Sequence, residues 1–216
     1  MNNARNAPQK ADANGSPIVF VVDDDLSMRE SLLDLFLSMK LEAAGFESAS
    51  AFLESANLTR PGCILLDVRL PGVNGLDFQE QLERMGSRMP IVFMTGFGDV
   101  PMSVRAMKAG AVDFLTKPFR DQDILDAVLA AIERDGVRRR QSAESEAVAS
   151  LVETLTPREL DVMGSVTKGM MNKQIAFELG ISEITVKLHR GNVMRKMQVR
   201  SVADLVRKVE LLKSRS

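Results

Sequence analysis

The chain has 216 residues, 45% of them hydrophobic and 26% charged, with a formal net charge of −1, the balance of an ordinary globular protein rather than a disordered or fibrous one. No apolar run approaches the eighteen or so residues that a bilayer demands, and a lone cysteine, Cys63, excludes an internal disulfide or a multi-thiolate metal site. A cytoplasmic protein without membrane attachment is therefore expected.

Charge is unevenly shared. Pro17 to Asp135 carries a net −8 and Gly136 to Ser216 a net +6, so the near-neutral whole hides an acidic and a basic half with different partners. Four segments are expected: a disordered, Asn/Ala-rich tail over 1–16, an α/β domain over 17–134, a linker over 135–150, and a small all-helical domain over 151–216. The linker, RDGVRRRQSAESEAVAS from Arg134, is poor in large apolar residues and has one breaker, Gly136. Its composition leaves a flexible segment and a helix both open, and protease sensitivity is expected unless it is helical.

In the first half, apolar runs at Ile18–Val22, Cys63–Leu66, Ile91–Met94 and Phe114–Thr116, with a weaker one near Phe46, predict five strands. Helical patterns alternate with them, near Ser27–Met39, Ser50–Ala56, Leu76–Met85, Pro101–Ala109 and Gln122–Glu133. Such alternation implies βαβ crossovers and a five-stranded, doubly wound parallel sheet. All strand ends then share one edge, where ligands of open α/β sheets bind.

That edge gathers chemistry. The first strand ends in Asp23, Asp24 and Asp25, the third in Asp67, the fourth in Thr95 and Gly96, and the fifth in Lys117–Pro118. Asp25 precedes a helix and is accounted for as a cap; the other acids are not. Carboxylates ~4 Å apart repel by roughly 4 kcal/mol per pair at an effective dielectric of ~20. They call for a cation, and oxygen-only ligands favour Mg²⁺, or Mn²⁺ in its place. A lysine and a hydroxyl facing a metal-bound carboxylate make a site for a phosphoryl group, with Asp67 as nucleophile. Pro118 makes Lys117–Pro118 a candidate cis peptide.

VVDDD at Val21–Asp25, LLDVRLPGVNG at Leu65–Gly75, MTGFGD at Met94–Asp99 and AMKAGAVDFLTKPF at Ala106–Phe119 closely resemble the receiver domain of bacterial response regulators, a flavodoxin-like fold, over Pro17–Glu133. The resemblance implies that Asp67 is the phospho-acceptor and that Asp23, Asp24, Asp67 and the backbone carbonyl of Arg69 ligate the metal. Thr95 and Phe114 would be the switch pair, Phe114 lacking the phenol of a tyrosine and so resting on packing alone. GDVPMSVRAMKAGAVDF is most similar to the FixJ-type branch.

In the second half, TPRE at Thr156–Glu159 has the form of a capping box with proline at the first helical position, and Thr156→Ala should cost ~1 kcal/mol. Helices are expected at Pro157–Thr167, Asn172–Leu179, Glu183–Met197 and Ser201–Leu212, with LGIS at Leu179–Ser182 as the turn of a helix-turn-helix. At ~100° per residue, Val186, Val193 and Met197 face the core and Ile184, Lys187, Leu188, Gly191 and Arg195 face away. Leu188 could meet a thymine methyl. LTPRELDVM, NKQIAFELGISEITVKLHR and NVMRKM resemble the LuxR/NarL-type DNA-binding domain over Leu155–Leu212. That match implies base contacts from Lys187, Leu188 and Gly191, and candidate phosphate contacts from Ser182, Thr185, Arg190, Arg195 and Lys196. Gly191 departs from the larger residues often seen there; close backbone approach to DNA would compensate. His189, the lone histidine, is read as a packing residue.

No nucleotide-binding loop is found, so a partner sensor histidine kinase is implied as phosphoryl donor. The expected output is phosphorylation-dependent homodimerisation, binding of double-stranded DNA, and contact with RNA polymerase, not a dedicated enzyme. Two other readings stand beside it: a receiver with helix-turn-helix whose DNA binding ignores phosphorylation, and an aspartyl-phosphate phosphohydrolase. The latter places a second Asp two residues beyond the nucleophile, where this chain has Arg69.

Overall fold

A computed structural model describes residues 15–96 and 100–213. The expected disordered tail falls almost wholly on residues 1–14, and the MTGFGD motif partly on Phe97–Asp99; both lie outside the described residues. The chain divides into two compact units, one up to Val137 and one from Arg138 onward.

The first unit contains strands β1 (Ile18–Val22), β2 (Glu42–Phe46), β3 (Gly62–Asp67), β4 (Arg69–Leu70), β5 (Val73–Asn74), β6 (Ile91–Thr95) and β7 (Asp113–Thr116). Helices α1 (Leu26–Ser38), α2 (Ala49–Ser55), α3 (Gly75–Arg84), α4 (Val100–Lys108) and the start of α5 (Asp121–Glu153) alternate with them. The main sheet is parallel in the order β2-β1-β3-β6-β7. Strand order reverses on either side of β1, so the ends of β1 and β3 flank the crevice of a doubly wound sheet.

Both faces of the sheet are covered, which is why its central strands read as unbroken apolar runs. Alternate residues feed separate cores. Phe20, Ile64, Leu66 and Phe93 pack with Phe52, Phe78, Leu82 and Ala106. Val21, Cys63, Leu65, Val92 and Met94 pack with Leu32, Phe36, Ile124 and Val128. The first core holds a chain of edge-to-face rings, Phe46–Phe52–Phe78, at 5.3 and 5.8 Å between centroids. Phe46 thus fastens β2, the weakest of the expected strands.

At the opposite end of the sheet from the acids, Gly62 opens β3 with φ +148°, and a Cβ there would collide with the Ile18 carbonyl. Its N–H donates to buried Asp135 of α5 at 3.1 Å. Burial, with the Asp135 charge nearby, pushes the Cys63 thiol up to about 12, the setting of an inert structural cysteine.

The Arg134–Ser150 segment lies inside α5, a helix of 33 residues that carries Gly136 in its interior. Of the two linker conformations left open by composition, the structure has the helix. The second unit holds the end of α5 with α6 (Pro157–Thr167), α7 (Asn172–Leu179), α8 (Glu183–Lys196) and α9 (Val202–Lys213). Its own core gathers Val148, Leu155, Val162, Val166, Ile175, Val186, Val193, Met197 and Leu205. The capping box is formed: Thr156 Oγ1 accepts from the Glu159 N–H at 3.3 Å, and Glu159 Oε2 accepts from the Thr156 N–H at 2.9 Å. Gly180 ends α7 in the left-handed region at φ +65°.

Candidate functional site

β1 stops where three successive carboxylates would each be desolvated, and they separate at once. Asp25 turns back as N-cap of α1, accepting from the Ser27 and Met28 N–H groups. Asp24 faces solvent, and Asp23 points into the crevice, fully buried. Asp23 Oδ1 accepts from the Asp25 N–H at 3.0 Å, and the Arg29 guanidinium donates to the Asp23 carbonyl at 2.7 Å. Arg29, six residues on, has no spacing that would flag it.

Asp67 closes β3 and is 8% exposed, open enough to be reached and closed enough to be held. Its Oδ1 accepts from the Arg69 N–H at 2.9 Å. The two-strand hairpin of β4 and β5, Arg69 opposite Asn74 and Leu70 opposite Val73, then returns the chain to α3. α3 begins hard against the acceptor strand: a Cβ on Gly75 would stand 2.8 Å from the Asp67 carbonyl oxygen and 2.9 Å from the Val68 Cα. Only glycine fits there.

Lys117 binds the two acids together. Its Nζ donates to Asp23 Oδ2 and to Asp67 Oδ2, each at 2.6 Å, while its own N–H bonds the Thr95 carbonyl at 2.7 Å. The Lys117–Pro118 peptide is cis. Burial pulls the Lys117 ammonium down, but the hydrogen bonds to Asp23 and Asp67 outweigh it and hold it above the usual lysine range. Burial likewise pushes the Asp23 carboxyl up, against the Lys117 and Asp25 hydrogen bonds that draw it down. Thr95 is buried at the end of β6, Gly96 is exposed beside it, and Phe114 on β7 lies half-buried against Phe93 at 6.3 Å.

Oxygens of Asp23, Asp24 and Asp67 lie within 4.8 Å of one another. Such an all-oxygen set fits a hard divalent cation that keeps part of its water shell. The first unit thus assembles Asp23, Asp24, Asp67, Thr95 and Lys117 at one edge of the sheet.

In the second unit, Ser182 caps α8 by accepting from the Thr185 N–H at 3.1 Å and shares a 2.8 Å hydrogen bond with the Thr185 hydroxyl. Val186, Val193 and Met197 are buried, and Ile184, Lys187, Leu188, Gly191 and Arg195 are exposed, as the helical angles require. Two of the candidate phosphate contacts also hydrogen-bond within the unit. Lys196 Nζ donates to Glu159 Oε2 at 2.6 Å and to the Thr154 carbonyl at 2.9 Å, its position turning it toward the start of α6. Half-buried Arg190 donates to Asn172 Oδ1 at 3.0 Å, bracing α8 against α7. His189 is half-buried, in keeping with a packing role.

Comparison with known proteins decides the family. Residues 19–129 match the response regulator receiver domain, and residues 153–209 match the luxR family of bacterial regulatory proteins. The chain belongs to the response regulators, in their FixJ-like branch. Nodulation protein W of Bradyrhizobium diazoefficiens is 56% identical over 93% of this chain and 88% of its own length. The transcriptional regulatory protein FixJ of Azorhizobium caulinodans is 44% identical over 88% of this chain and 90% of its own. Among solved structures, the response regulator StyR aligns with a TM-score of 0.80 and 48% identity, covering 91% of this chain and 99% of that one. This response regulator therefore pairs a receiver with a helix-turn-helix domain, and its relatives are transcriptional regulators. Among the described residues no helix is long and apolar enough to cross a membrane.

Proposed function

We propose that this response regulator is a phosphorylation-dependent transcriptional regulator in which Asp67 accepts a phosphoryl group from a partner sensor histidine kinase. A carboxylate oxygen of Asp67 attacks phosphorus; the P–N bond to the donor imidazole breaks, a P–O bond forms, and the imidazole nitrogen takes back the electron pair. Asp23, Asp24, Asp67 and the carbonyl of Arg69 would hold Mg²⁺, or Mn²⁺, which when bound offsets charge on the phosphoryl oxygens. Lys117 is already positioned on Asp67 and holds a further charge at the acceptor. The Thr95 hydroxyl donates to a phosphoryl oxygen, and Phe114 moves into the space it leaves. The altered surface of α4 and β7 then forms a homodimer, which places two α8 helices on paired half-sites of double-stranded DNA and engages RNA polymerase.

One observation carries this reading: Asp67 sits 8% exposed, its two oxygens separately held by the Arg69 N–H and Lys117, next to Asp23 and Asp24. Mass spectrometry after incubation with acetyl phosphate and magnesium should show a gain of about 80 Da, the mass of one phosphoryl group, absent in Asp67→Asn. Footprinting with the same samples should show protection that requires the phosphodonor. Equal protection by both proteins, with and without donor, would defeat the switch and leave a constitutive DNA binder.

A further inference from the structure

Six residues of α8 are exposed: Glu183, Ile184, Lys187, Leu188, Gly191 and Arg195. All but Glu183 fall on one stripe, opposite buried Val186, Val193 and Met197. Ile184 is 80% and Leu188 64% exposed, a pair of branched aliphatic side chains one turn apart with no apolar cover. Apart from Arg195, the only side-chain hydrogen-bond donor on the stripe is Lys187.

Gly191 adds an independent observation. A Cβ built there meets nothing within 4 Å, so no packing inside the protein calls for a glycine, although glycine weakens a helix interior. The missing side chain serves whatever lies against the stripe. What lies there is set by charge: this half of the chain carries a net +6, and Lys187 and Arg195 flank the aliphatic pair on the same face. A polyanion with apolar groups exposed between its phosphates meets these conditions, and DNA presents the thymine C5 methyl in its major groove.

Resting on the proposed DNA-binding role, we infer that Ile184 and Leu188 are a paired methyl reader, each packing on one thymine methyl, with Gly191 letting the helix backbone approach the groove. Four residues of helix rise ~6 Å and base pairs stack ~3.4 Å apart, so the two thymines lie about two steps apart. Specificity at these positions comes from methyl burial, not from hydrogen bonds. One buried methyl at ~0.8 kcal/mol corresponds to ~4-fold in affinity.

The test begins with phosphodonor-treated full-length protein and selection of bound duplexes from random-sequence DNA. Thymines in the selected duplex are then replaced singly by deoxyuridine, which removes only the methyl. Wild type should lose ~4-fold at two positions about two steps apart. Ile184→Ala should become insensitive at one of them and Leu188→Ala at the other, both variants melting at the wild-type temperature. Gly191→Ala should melt higher yet bind more weakly. Uridine-insensitive binding by wild type, or sensitivity that survives in both variants, overturns the methyl reader while leaving DNA binding intact. Full affinity in both alanine variants assigns the pair to a protein partner and overturns it as well. Failure to select any sequence overturns the DNA-binding reading itself.

Discussion

At the scale of single residues, one carboxylate of the second unit is held well below its ordinary range. Glu159 is 3% exposed and lies between the Lys196 ammonium and the Thr156 N–H. The Lys196 hydrogen bond, aided by that of Thr156, holds its carboxyl at about 2, against an ordinary 4.5. A depressed carboxyl lends stability that is complete above the unfolded-state value and is lost as pH falls through the folded one. Urea midpoints for the helical unit should thus fall as pH drops from about 4.5 toward 2. Lys196→Met should cost about 2 kcal/mol at neutral pH, the scale of a charge-assisted hydrogen bond, and flatten that slope. An unchanged slope in Lys196→Met would show that other acids govern the transition. The Thr156–Glu159 capping box was legible because its partners stand three residues apart. Lys196 was not: its partner lies 37 residues away in sequence, and the basic face of a helix gives no sign of which cation turns inward.

Elements divide along the same line. Strand ends were readable, since apolar runs stop at the first carboxylate and the parallel topology sends every stop to one edge. The hairpin of β4 and β5 was not, because two-residue strands have no periodicity, and the Pro71–Gly72 pair reads simply as a turn. Linker conformation was also undetermined: Gly136 argues locally for a break, yet Asp135 beside it is buried on the Gly62 N–H, and tertiary anchoring overrides the breaker. Two consequences can be measured. Gly75 and Gly191 both occupy helices, but Gly75 is pressed on the backbone of β3 and Gly191 faces open space. Gly75→Ala should destabilise the receiver by about 1–3 kcal/mol, the cost of overpacking, and slow the proposed phosphorylation of Asp67. Gly191→Ala should stabilise the second unit by about 0.5–1 kcal/mol. Thermal melts of the two variants should move in opposite directions; shifts of the same sign would show that helix propensity, not local space, decides both. Limited trypsin treatment should spare Arg138, Arg139 and Arg140, since a bond within an intact helix cannot adopt the extended form a protease requires. Early cleavage there would mean that α5 opens at Gly136.

For the whole molecule the governing quantity is how charge is shared. The receiver half holds −8, the DNA-binding half +6 and residues 1–16 a further +1, so the chain as a whole presents −1 to a distant polyanion. The proposed phosphorylation of Asp67 would make the acidic half more negative by up to ~2. Affinity for DNA must then come from near contacts, while long-range attraction is largely cancelled. The Debye length is about 30 Å at 0.01 M salt and about 8 Å at 0.15 M. At low salt a DNA phosphate senses both halves; at physiological salt it senses the nearer one. A fragment beginning at Arg138, which retains its own core of Val162, Ile175, Val186, Val193 and Met197, keeps the positive half alone. Its association rate with a short duplex should climb steeply as salt is lowered, whereas that of the full chain should rise much less. The ratio of the two rates should approach its minimum near 0.15 M. Stopped-flow association across that salt range measures it directly, and parallel salt dependences would mean that the acidic half exerts no field on the DNA.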